Sequence, residues 1–125
     1  MRKKIPIANI NITKDEINLC FTNKSADVSF AIGFPETYYI GMSNLGWQVI
    51  YTILNSRNDV ICERFFYNDD SKICTVENNN SLKDFDFVGF SLSFELNYIN
   101  VLKILKLAKI PLFSNERKYN DPIVI

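Results

Sequence analysis

Residues 28–54 read VSFAIGFPETYYIGMSNLGWQVIYTIL, and the rest of the chain is organised around them. The nearly continuous apolar run that ends at Pro35 is typical of a strand covered on both faces of a sheet. The second apolar run, residues 45–54, predicts a helix with Ser43 or Asn44 as its N-cap. A strand, a glycine-bearing loop and a helix in this order predict the opening unit of an open α/β sheet. In such sheets ligands bind beyond the carboxyl ends of the strands.

The composition excludes several classes of protein. The 125 residues are 47% hydrophobic, which is enough for one domain with its own core. Lys and Arg together number 14, as do Asp and Glu, so the basic face that a nucleic acid requires is not expected. No run approaches the roughly 18 apolar residues of a membrane span, and the first residues lack a signal-type apolar segment. We therefore expect a cytoplasmic protein that binds neither nucleic acid nor membranes.

The titratable residues indicate neither a metal site nor a catalytic centre. Histidine is absent from the whole sequence, which removes Ser–His and Cys–His nucleophile pairs and every imidazole metal ligand. Cys20, Cys62 and Cys74 are separated by 42 and 12 positions, which fits no compact zinc or iron–sulfur spacing. We expect no disulfide framework, because the count is odd and no export signal is present.

The order of apolar runs predicts an N-terminal arm or hairpin, residues 1–27, followed by an α/β domain, residues 28–125. Ile17, Leu19 and Phe21 alternate with polar residues and favour a strand in the arm. An equally open alternative is an arm that lies on the domain without pairing.

Two further strands and a second helix are predicted in the domain. Residues 60–66 predict a strand whose charged Glu63 and Arg64 indicate an edge position or a solvent-facing end. Residues 85–94 predict a central strand, and residues 96–109 a helix. The buried stripe predicted for this helix consists of Tyr98, Val101, Leu102, Leu105 and Ala108.

The last residues predict one more strand. Residues 122–125 are apolar after Pro122, so we expect Ile32, Val88 and Val124 to lie side by side in a parallel sheet. The domain therefore looks incomplete at its C-terminus. An exposed edge strand there predicts self-association.

Several blocks of the sequence, in order, resemble the leading part of cobalamin-binding-domain radical SAM proteins, a group of bacterial Fe-S oxidoreductases. The resemblance spans residues 28–125 and is carried by Phe34–Gly46, Cys62–Phe66, Asp84–Leu96, Asn100–Leu102, Ile110–Leu112, Glu116–Arg117 and Asp121–Ile125. It implies a Rossmann-like, cobalamin-binding or flavodoxin-like domain with three layers and a mostly parallel sheet. It also implies a radical SAM barrel as the partner in a longer protein.

The resemblance implies cofactors that these residues match only in part. The family's four-iron cluster and its S-adenosylmethionine depend on a Cys-x-x-x-Cys-x-x-Cys loop, which these 125 residues lack. Neither is therefore expected to bind here. The family's Asp-x-His-x-x-Gly motif ligates cobalt from below, and without histidine this chain could hold cobalamin only without that lower ligand.

The residues expected to face a ligand lie in two loops after predicted strands. They are Tyr38, Gly41, Met42, Ser43, Asn44 and Gly46 in the first loop, and Ser93, Glu95 and Asn97 in the second. Backbone N–H groups and a helix N-terminus there suit polar or anionic edges of a ligand. Two explanations for a glycine at position 46 stay open: close packing against a neighbouring strand, or close approach of a ligand. Glu95 either lies in solvent or contacts the ligand.

The resulting hypothesis is that this chain is the N-terminal cobalamin-binding-like portion of a radical SAM enzyme. In that role it would bind a corrinoid or pack against the barrel. One alternative is a degenerate structural or docking domain without a ligand, which the missing histidine favours. Another is a free-standing flavodoxin-like binding module, although Gly41 and Gly46 supply less glycine than a phosphate-binding loop needs.

Overall fold

The computed structural model describes residue 16 and residues 25–69 and 72–125, and the predicted arm of residues 1–27 lies almost wholly outside them. This part of the chain contains strands β1 (Val28–Phe34), β2 (Val60–Phe66), β3 (Phe87–Phe90) and β4 (Ile123–Val124). Its α-helices are α1 (Tyr38–Met42), α2 (Leu45–Ser56) and α3 (Asn97–Leu107). Two 3₁₀ turns, Leu82–Asp84 and Ser114–Glu116, complete the regular structure described.

The four strands form one parallel sheet in the order β2-β1-β3-β4, which confirms the predicted α/β fold with a parallel sheet. The prediction that Ile32, Val88 and Val124 lie side by side is wrong by one residue, at Ile32. Val88 pairs with Ala31 and Val124, whereas Ile32 pairs with Gly89. Because side chains alternate along a strand, Ile32 faces the opposite side of the sheet from Val88.

The sheet has a core on each face. One core joins the sheet to α3 through Ala31, Phe65, Val88, Ile104 and Leu105. The other joins the sheet to α2 through Ile32, Phe34, Cys62, Trp47 and Tyr51. Since consecutive residues of β1 enter different cores, the two helices cover opposite faces. The molecule is therefore a three-layer Rossmann-like domain.

The buried face of α3 differs from the predicted stripe. Tyr98 and Leu102 are 60% and 51% exposed, so their predicted burial is wrong. The predicted burial of Leu105 and Ala108 is confirmed, and Asn97 and Ile104 are buried in addition. The predicted helical spacing of buried residues is correct, but the buried stripe is rotated by about one residue. The reason is that apolar side chains occur on both sides of this helix.

β3 is shorter than predicted, since residues 91–94 lie outside the strand. The Ser91 N–H still donates to the Gly33 carbonyl oxygen at 2.9 Å, and the chain then leaves the sheet. Residues 91–94 therefore do not alternate between the two faces of the sheet, because that alternation requires an extended strand.

β2 forms one edge of the sheet, as its charges predicted, and the segment of residues 72–81 covers that edge. The Glu77 carboxylate accepts the backbone N–H of Arg64 at 2.7 Å, and the Val76 N–H donates to the Arg64 carbonyl oxygen at 2.8 Å. A side chain and a backbone group thus replace a neighbouring strand. The expectation that the charges face solvent is wrong, since Glu63 and Arg64 are 2% and 3% exposed.

The two buried charges of β2 are both satisfied from the covering segment. The Glu63 carboxylate accepts hydrogen bonds from the Thr75 hydroxyl and from the Asn78 and Asn80 side-chain amides, at 2.5, 2.6 and 3.1 Å. On the other face, Arg64 Nε donates to Glu77 Oε1 at 2.5 Å. Buried ions require such partners, so the covering segment is held by charge as well as by packing.

β4 forms the opposite edge. Ile123 and Ile125 are 59% and 67% exposed, and no described strand pairs with the outer side of β4. Self-association through this edge stays a prediction.

Replacing Glu77 by alanine should lower the free energy of unfolding by about 3 kcal/mol, because the buried Arg64 loses its closest ionic partner and β2 loses its cover. Urea denaturation followed by circular dichroism measures this change. The matched control is Glu116→Ala, which removes an exposed carboxylate and should change stability by less than about 0.5 kcal/mol. A loss for Glu77→Ala no greater than that of the control would contradict the assigned role of this carboxylate.

Candidate functional site

The two loops predicted to form one site do lie together. The first loop (residues 35–44) follows β1 and the second loop (residues 91–96) follows β3, its neighbour in the parallel sheet. Asn44 Nδ2 donates to Ser93 Oγ at 3.3 Å, and Asn100 Nδ2 donates to the Pro35 carbonyl oxygen at 2.9 Å. These contacts join the loops at the carboxyl edge of the sheet, where ligands of open α/β sheets bind.

The N-terminus of α2 is open to solvent at this edge. Asn44 Oδ1 accepts the Trp47 N–H at 3.0 Å, so Asn44 is the N-cap of the two predicted candidates, Ser43 and Asn44. Gly46 is exposed, and a Cβ added there would meet only Asn44 Oδ1, at 3.6 Å. Ser93 and Glu95 are also exposed. These four predicted residues are thus accessible to a ligand.

Other predicted residues of the first loop serve internal packing. The loop contains the short helix α1, which the sequence did not indicate. Gly41 of α1 is buried, and a Cβ there would lie 2.5 Å from the Phe66 ring and 3.1 Å from Phe34 Cβ. A glycine is therefore required for α1 to approach β1 and β2. Ser43 donates from its hydroxyl to the Tyr39 carbonyl oxygen at 2.8 Å.

Tyr38 and Met42 face a buried ionic cluster around Arg64. Arg64 Nη1 and Nη2 donate to the two carboxylate oxygens of Glu16 at 2.9 and 2.8 Å, and the Tyr38 hydroxyl donates to the same carboxylate. Nη1 also lies 3.4 Å from Met42 Sδ, and the guanidinium stacks 4.8 Å above the Tyr51 ring. Only the arginine inside an apolar strand could have indicated this cluster from sequence.

Burial and pairing set the charges of this cluster. Burial disfavours the Arg64 cation, but its hydrogen bond to Glu16 and the charge of Glu77 keep its pKa above the usual value. Burial, and then the hydrogen bond to Glu16, raises the pKa of Tyr38. Burial also raises the pKa of Glu77, although Arg64 opposes this shift. Arg64 therefore stays charged, and Tyr38 stays a neutral donor.

Asn97 is the predicted residue with unused hydrogen-bonding capacity. It begins α3 directly after the second loop and is 2% exposed. Within the described part of the chain, its Nδ2 and Trp47 Nε1 are buried without an acceptor. Buried donors are normally paired, so a ligand oxygen beside Asn97 would remove an energetic penalty.

The same edge exposes large apolar side chains. Tyr39, Leu45, Phe94 and Leu96 are 77%, 74%, 64% and 79% exposed. Exposed apolar side chains become significant where they form a contiguous patch, which marks a ligand or domain contact. Among residues 16, 25–69 and 72–125, no group of three metal-ligating side chains occurs, and no helix is long and apolar enough to cross a membrane.

Alanine substitutions of the two loop glycines should have opposite effects. Gly41→Ala should destabilise the domain by about 1–3 kcal/mol, because its Cβ enters the space of Phe66. Gly46→Ala should stabilise it by about 0.5–1 kcal/mol, because the site is open, helical and without a positive φ. Thermal denaturation of both variants measures the difference, and shifts of the same sign would contradict this assignment.

Comparison with known proteins identifies the family of the chain. A family model described as "Radical SAM proteins, N-terminal" matches residues 46–125, more than half of the chain. The match includes β2, its covering segment, the second loop and Asn97, and it begins at Gly46. Comparisons with curated proteins and with solved structures found no match. The chain therefore belongs to the N-terminal domains of radical SAM proteins.

Proposed function

We propose that this domain holds a corrinoid at the carboxyl edge of its sheet, against the catalytic domain of a radical SAM protein. Family membership supports the catalytic domain as the partner. The observation that carries the corrinoid is Nδ2 of Asn97, which is buried without an acceptor in the described part of the chain. Asn97 directly follows a loop that contacts the open N-terminus of α2.

The donor set at this edge fits the periphery of a corrin ring, which carries amide groups. Asn97 Nδ2 and the Asn44 side-chain amide are hydrogen-bond donors for such carbonyl oxygens, and the N-terminus of α2 adds backbone N–H groups. Gly46 leaves space for close approach of a flat ligand. Leu45, Phe94 and Leu96 supply apolar area to flank it.

Cobalt receives no imidazole from this chain, because the sequence contains no histidine. A bound corrinoid would supply group-transfer chemistry at its metal, whereas the residues of this domain would bind and orient the ring and keep water from its covered face. The iron–sulfur cluster and S-adenosylmethionine would belong to the catalytic domain.

A docking domain without a ligand is the second candidate. It is supported by the inward orientation of Tyr38 and Met42, which contact Glu16 and Arg64. The exposed Phe94 and Leu96 would then contact the catalytic domain directly. The third hypothesis, a free-standing flavodoxin-like module, has less support because family membership implies a catalytic partner.

Titration of the 125-residue protein with hydroxocobalamin tests the proposal. We expect a shift of the visible absorption bands, co-elution of the pigment in gel filtration and a higher thermal midpoint, because a ligand that binds only the folded state stabilises it. A protein that stays colourless after gel filtration and keeps its midpoint would overturn corrinoid binding and leave docking as the function.

A pair of leucine variants locates the binding site. Gly46→Leu places bulk at the open N-terminus of α2, where an added Cβ meets only Asn44 Oδ1 at 3.6 Å, so the protein should fold and lose the pigment. The matched control, Asn58→Leu, adds the same side chain at an exposed turn before β2, at the other end of the sheet. Equal retention of hydroxocobalamin by both variants would contradict the carboxyl edge as its site.

A further inference from the structure

The carboxylate of Glu16 lies in a pocket that the folded domain builds around Arg64. Each guanidinium Nη atom donates to one carboxylate oxygen, at 2.9 and 2.8 Å, and the Tyr38 hydroxyl adds a third donor. The side chains of Arg64 and Glu16 are only 4% and 14% exposed. Two parallel N–H···O contacts from a planar fork are the strongest and most specific way in which proteins bind a carboxylate.

The pocket is organised by contacts that do not involve Glu16. Glu77 binds Arg64 Nε and the Arg64 backbone N–H, at 2.5 and 2.7 Å, so one end of the guanidinium is already occupied. Tyr51 supports the guanidinium from one face and donates its hydroxyl to the same Glu77 carboxylate at 3.1 Å. The Nη atoms of Arg64 are therefore held in place for a second carboxylate.

Tyr38 is positioned independently as well. Its ring lies 5.1 Å from the Phe66 ring in an edge-on arrangement, and α1 is anchored on β1 and β2 through Gly41. A tyrosine hydroxyl is protonated at neutral pH, as a donor to an anionic oxygen must be, and burial raises the pKa of Tyr38 further.

We propose that Arg64 and Tyr38 form a carboxylate-binding site, in which the Glu16 side chain is the resident ligand and an external monocarboxylate takes its place when that side chain is removed. The contact joins residue 16, which precedes the domain, to α1 and β2 at the carboxyl edge. The site is separate from the proposed corrinoid contacts of Asn44, Ser93 and Asn97, and it stands whether or not a corrinoid binds.

Acetate rescue of Glu16→Ala tests the site, with acetate as the probe. Trp47 is the single tryptophan and stacks on Tyr51 at 6.4 Å between ring centroids, so its fluorescence reports on the Arg64 environment. In Glu16→Ala, we expect acetate to change the fluorescence saturably and to raise the thermal midpoint beyond the effect of equal sodium chloride. In the unsubstituted protein, acetate and chloride should act alike, because Glu16 occupies the site.

Two further variants complete the experiment. Tyr38→Phe, added to Glu16→Ala, keeps the aromatic contact with Phe66 and should weaken acetate binding several-fold. Glu116→Ala, which removes an exposed carboxylate, should show no acetate-specific effect. If Glu16→Ala is unfolded, acetate should restore the folded signal where chloride does not. Identical responses to acetate and chloride in Glu16→Ala, folded or not, would overturn the proposal.

Discussion

The structure depends on one buried cation on an edge strand. Arg64 is almost fully enclosed, so the fold must bring anions and donors to it. Glu77 comes from the segment that covers β2, Glu16 from the chain before the domain, and Tyr51 from α2. Losing Glu16 or Glu77 removes one of the two carboxylates that balance this buried cation. The edge of β2, which would otherwise recruit another strand, is thereby closed by the Glu77 side chain and the Val76 backbone N–H.

This closure divides the carboxyl edge into two parts with different roles. On the β2 side, Tyr38, Gly41 and Met42 are used by internal contacts, so little of their surface can serve a ligand. On the β3 side, Gly46 is open, and Asn97 Nδ2 has no acceptor among the residues that the structure describes. The packed β2 side and the open β3 side together suit the proposed ligand site, which would be carried on a fixed scaffold.

Local signals predicted the elements of the fold well. Asn44 was recognised as a candidate N-cap because capping depends on residues three positions apart. The apolar runs predicted the strands because a strand that is buried on both faces needs only consecutive apolar residues. The edge position of β2 followed from Glu63 and Arg64. The candidate site was found in part: the sequence placed Asn44 and Ser93 on one edge, but it did not distinguish the open Gly46 from the packed Gly41.

The sequence by itself determined the α/β class, the order of strands and helices, the family resemblance and the absence of imidazole chemistry. These follow from residue identity and from the spacing of apolar residues along short stretches of the chain. Only the tertiary structure decided the register of Val88 against Ala31, the buried face of α3 and the enclosure of Arg64 by Glu16 and Glu77. The physical reason is that these features depend on pairs of residues far apart in the chain, whose contact arises only when the sheet and its covering segment are assembled.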